Sequence, residues 1–97
     1  MDLKQWMEAV HETAKQNGWW DGERPVPELL CLVHSEVSEA LEAYRKQDEV
    51  NFNEELADIV IRVFDLAQHF NIDLEKEIMD KDAYNRTRGY RHGGKLC

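Results

Sequence analysis

Two pairs of acids, Glu36 with Glu39 and Glu55 with Asp58, lie inside apolar helical patterns, LLCLVHSEVSEALEAY and EELADIVIRVFDLA, and constrain this chain more than any other feature. A three-residue step turns about 300° around a helix, so each pair projects from one face about a turn apart. Fifteen residues separate Glu39 from Glu55. That is room for the end of one helix, a turn and the start of the next, which predicts a helical hairpin whose antiparallel arms bring four carboxylates together. Four such groups repel one another and cost on the order of several kcal/mol unless a cation neutralises them. All-oxygen ligation favours a hard divalent ion, Mg²⁺ with Mn²⁺ as a possible substitute, over zinc. Either pair alone is better read as surface acid on a solvated helix face. The doubling changes that balance, because apolar neighbours (Val37, Ala40 and Leu41; Ala57, Ile59 and Val60) leave little solvated face to hold the acids.

At 97 residues the chain is expected to form one domain, 1–97, large enough for a modest core and small enough for oligomerisation to matter. The longest apolar runs, LLCLV and IVI, are far too short to span a bilayer, and MDLKQWMEAV has no apolar signal core, so a cytoplasmic location is expected. Cys31 and Cys97 lack any short metal-ligand spacing and read as free thiols in a reducing compartment. A net charge of −8 argues against nonspecific binding to nucleic acid. Its distribution is polar: residues from Lys81 onward carry +4, leaving −12 on residues 1–80. An acidic body with a basic end suits a metal and a polyanionic ligand together.

Four helices follow from the caps and periodicity. Asp2 and Gln5 have capping-box spacing, Trp6, Met7, Val10 and Ala14 mark an apolar side, and Asn17-Gly18 ends the first helix. This helix holds Glu8 and His11 as a single Glu-x-x-His, whereas di-iron bundles need two copies, so His11 reads as a surface or packing residue. The loop NGWWDGERPVP follows, in which Trp19 and Trp20 either stack on a nucleobase or anchor the loop on the core, or take one role each. A second helix starts near Pro27 and runs to about Gln47, apolar on two sides. Asn51 with Glu54 predicts the cap of a third helix that is apolar nearly all round, which a partner subunit would have to cover. Arg62, one turn beyond Asp58, is read as a salt-bridge partner in preference to a phosphate contact. Asn71 closes that helix, Asp73 caps a fourth running to about Arg86, and residues from about 87 to 97 form a basic, mobile tail. The fold class is therefore all-α, a four-helix bundle-type protomer within an oligomer.

These residues resemble the MazG-like nucleoside triphosphate pyrophosphohydrolases of the all-α superfamily. The family pattern of Glu-x-x-Glu, a spacer and Glu-x-x-Asp is matched by Glu36, Glu39, Glu55 and Asp58; its basic element by Lys81, Asn85 and Arg88 in KDAYNRTRGYRHGGK; and its Gly-aromatic-aromatic-acid loop by Gly18-Trp19-Trp20-Asp21. The similarity covers nearly the whole chain in the same order. Many relatives are longer or duplicated, and this is one short copy, so the choice of oligomeric state and any second domain's role do not carry over. The resemblance implies an α-helical dimer or tetramer that uses Mg²⁺ to hydrolyse nucleoside triphosphates, standard or modified, to monophosphate and pyrophosphate, as nucleotide-pool house-cleaning. It implies catalytic and metal-binding roles for the four acids and substrate binding by Lys81, Asn85 and Arg88. Which acid accepts a proton from the attacking water is left open. A competing class is a non-enzymatic helical module whose acids bind only a structural cation or a basic partner.

Overall fold

The computed structural model describes residues 1–90, and over these the chain is helical without a strand. The elements are α1 (Leu3–Gln16), α2 (Val26–Arg45), α3 (Glu49–His69) and α4 (Leu74–Arg86). Expectations that fall on the last seven residues, including the tail cations Arg91 and Lys95 and the thiol of Cys97, lie outside the described residues.

Local chemistry explains most of the boundaries. The Asp2 carboxylate accepts from Gln5 N at 2.8 Å while Asp2 N donates to Gln5 Oε1 at 2.9 Å, closing the capping box of α1. Gly18 then turns the chain at φ 83, a conformation that costs a side-chain-bearing residue strain. Asp73 caps α4 by accepting from Lys76 N at 3.1 Å, and Asn71 makes the preceding turn at φ 57. Two boundaries differ from the sequence expectation. Helix α2 ends at Arg45, because Gln47 adopts φ 58 and reverses the chain. Helix α3 begins earlier than expected: its cap is Asp48, whose side chain accepts from Asn51 N at 3.1 Å, so Asn51 supplies the donor and not the acceptor.

Residues 46–48 are all that join α2 to α3, and the arms pack as an antiparallel hairpin: Tyr44 meets Phe52, and further along Glu36 meets Arg62. Helix α1 lies across α3. Met7, Ala40, Ala43 and Ala67 form the buried centre, and the three alanines let the helix backbones approach closely. Helix α4 touches α1 only lightly and buries none of its residues. The radius of gyration, 15.8 Å, exceeds the about 12–13 Å of a compact chain of this length.

Candidate functional site

The hairpin brings three of the four acids together. One carboxylate oxygen from each of Glu36, Glu39 and Glu55 lies within 4.8 Å of the other two. Glu36 is 8% exposed, Glu55 is half-buried and Glu39 is open to solvent. Asp58 stands outside this trio, on the wall of an adjoining cavity that Glu36 also lines. Glu55 Oε2 is buried with no hydrogen-bond partner. Burial first, then the close approach of the Glu36 and Glu39 carboxyls and the charges of Glu39 and Asp58, push its carboxyl up to about 7.

The sign of that shift gives a testable pH dependence. A carboxyl whose folded pKa is raised holds its proton more tightly folded than unfolded, so its favourable contribution is present in acid. That contribution is lost as pH climbs from the ordinary value of 4.5 through about 7. In chelator, the melting temperature is expected to fall between pH 5 and pH 8, and Glu55→Gln to flatten that slope. Thermal melts of both proteins across this range check it, and an unchanged slope in the variant would remove Glu55 as its source.

The cavity, about 240 Å³, lies between α1, α3 and the loop after α1, with Thr13, Asn17, Trp19, Arg62 and Asp65 among its lining. Arg62 occupies the junction of cavity and acid cluster. Its Nε and Nη2 both donate to Glu36 Oε1 at 3.2 Å, so the salt bridge expected from the sequence forms, to a carboxylate on the neighbouring helix.

The two tryptophans separate as anchor and wall. Trp20 Nε1 donates to Asp65 Oδ1 at 2.9 Å, and its ring stacks on His69 at 3.6 Å. His11 Nδ1 lies 2.6 Å from the same Asp65 oxygen, which makes His11 a packing residue. Trp19 instead faces the cavity. Asp65 was not singled out by its sequence context. The available signal was its position seven residues after Asp58, two turns along the same face of α3.

Lys81, Asn85 and Arg88 lie on α4 and just beyond its end, on one side: the Lys81 ammonium and the Arg88 guanidinium both lie over the Tyr84 ring, at 4.9 and 5.4 Å. Among the described residues no hydrogen bond or ion pair joins these three to the acid cluster. Helix α4 makes at most marginal contact with the α2–α3 hairpin that carries the acids.

The family model of the MazG nucleotide pyrophosphohydrolase domain matches residues 26–83. The match takes in all four acids and Lys81, while Trp19, Trp20, Asn85 and Arg88 fall outside it. No curated protein and no solved structure matches the chain.

Proposed function

The chain belongs to the MazG nucleotide pyrophosphohydrolase domain family, and from that premise we propose that it hydrolyses standard or modified nucleoside triphosphates to monophosphate and pyrophosphate in a Mg²⁺-dependent reaction that clears the nucleotide pool. The observation that carries this reading is the convergence of Glu36, Glu39 and Glu55 beside a cavity walled by an aromatic ring. The donors fit a hard divalent cation: all are oxygens, and the orphaned Oε2 of Glu55 is a buried acceptor awaiting a partner. Glu36, Glu39 and Glu55 would hold the ion, with Asp58 at the cavity edge. Bound there, Mg²⁺ supplies neutralisation of phosphate oxygens and a water of lowered pKa.

The protein's own groups supply the rest. Glu55 gives up its proton as the cluster takes a cation. Trp19 walls the cavity that would take a base, and Lys81 and Arg88 grip the phosphate chain, with Asn85 as a neutral donor. The exposed thiol of Cys31 supports a cytoplasmic setting, and no described helix is long and apolar enough to cross a membrane. The test is a screen of ribo- and deoxyribonucleoside triphosphates with Mg²⁺, with products resolved as pyrophosphate or single phosphate. Pyrophosphate release that stops in chelator is expected. Release of nothing by a protein that still binds Mn²⁺ would favour the helical interaction module.

A second copy of the chain is part of the proposal. Val26, Leu30, Val37, Leu41 and Tyr44 form an exposed apolar stripe along α2 at steps of four, seven, four and three, the spacing of a helix-packing seam. Leu56, Val60 and Ile61 on α3 and Ile78 and Met79 on α4 are exposed as well. An oligomer covers these faces and gives α4 a surface on which its cations meet an acid cluster. Sedimentation at low micromolar concentration is expected to show a dimer or tetramer; a stably folded monomer would rule this out.

A further inference from the structure

Arg62 makes two attachments, one to the acid cluster and one to the wall of the cavity. Its guanidinium uses two nitrogens on a single oxygen of Glu36, which leaves Oε2 of that acid free of this pair. The same guanidinium carbon lies 4.3 Å from the centroid of the Trp19 ring. Trp19 is held from its other neighbour too: Arg24 lies 5.0 Å from the ring, donates from Nε to the Trp19 carbonyl oxygen at 2.6 Å, and from Nη1 to Glu28 Oε1 at 2.8 Å. The loop wall is thus fastened to α2 through Arg24 and Glu28, and to the acid cluster through Arg62.

We propose that Arg62 is a positioning residue: it fixes Glu36 in the orientation a cation needs and, through its stack on Trp19, ties that orientation to the wall of the cavity. This rests on the reading of the carboxylates given above. A planar guanidinium can hold one carboxylate oxygen edge-on while lying flat on an indole, which an ammonium cannot do. Partners of ligating carboxylates orient their ligands, and their loss weakens metal binding by about 10–100-fold. Removing a nearby positive charge would by itself do the opposite and tighten binding of a divalent cation. The direction of the change therefore separates orientation from charge.

The experiment measures Mn²⁺ affinity by calorimetry and tryptophan emission on addition of Mg²⁺, without nucleotide, for the parent protein and for Arg62→Met, Arg62→Lys and Trp19→Phe. The parent is expected to bind Mn²⁺ and to show a saturable emission change. Both Arg62 variants are expected to bind Mn²⁺ about tenfold or more weakly and to lose the emission change. Trp19→Phe is expected to lose the emission change, which locates the signal. Wild-type or tighter Mn²⁺ binding by Arg62→Met would overturn the proposal, as would Arg62→Lys behaving as the parent, because charge alone would then suffice. If Arg62→Met fails to fold by thermal melt, Arg62→Lys decides. A parent that takes up no Mn²⁺ would overturn the carboxylate reading and this proposal with it, whereas Mn²⁺ bound equally by all variants overturns only the role of Arg62.

Discussion

Replacing Glu39 by glutamine is expected to abolish metal-dependent pyrophosphate release while the protein melts no lower than its parent does. Glu39 is solvent-exposed and makes no ion pair among the described residues, so the amide preserves shape and packing and removes only charge and ligand strength. Charge stabilisation by a metal is worth several kcal/mol of barrier, and each about 1.4 kcal/mol is tenfold in rate, so the loss should exceed about a hundredfold. Asp58→Asn is expected to lose activity for a related reason. It stands on the cavity wall outside the trio, yet its charge reaches Glu55. Assaying both variants with Mg²⁺, beside melts by circular dichroism, checks the assignment, and full activity in either would withdraw that residue from it.

Lys81→Ala and Arg88→Ala are expected to slow turnover about tenfold or more each, through loss of roughly 1 to 3 kcal/mol of charge-assisted bonding to phosphate. Mn²⁺ affinity should barely move, since neither side chain is a ligand. Hydrolysis and Mn²⁺ affinity measured together on these variants decide the point. Unchanged hydrolysis would return Lys81 and Arg88 to the role of cations near a helix end, where the dipole alone favours them.

The helices were legible because their signals are local. Asp2 with Gln5, Asp73 and Asn71 each act on backbone within three residues, so their reading from sequence and their geometry agree. The start of α3 was misread for the same reason: Asn51 with Glu54 imitates a cap as well as Asp48 with Asn51 does, and only the tight reversal at Gln47 selects between them. The acid pairs were legible because their spacing and apolar setting are both written along the chain. The hairpin then makes Glu36, Glu39 and Glu55 neighbours, but the register that leaves Asp58 on the cavity side depends on how α2 and α3 pack against each other. That is a packing outcome with no local signature. The partner of Arg62 and the part played by Asp65 belong to the same class, since each joins residues more than twenty positions apart.

One carboxylate, that of Asp65, receives the His11 ring from α1 and the Trp20 indole from the loop. The α2–α3 hairpin closes over a three-residue turn and can form early, with little chain to gather. Helix α1 and the double-tryptophan loop have no comparable local route. They share one seat, because both His11 and Trp20 bond to Asp65. Val10, Thr13 and Ala14 of α1 are also walls of the cavity. The cavity therefore exists only where α1 is docked: the α2–α3 hairpin by itself carries the three glutamates but lacks the wall that Val10, Thr13 and Ala14 supply.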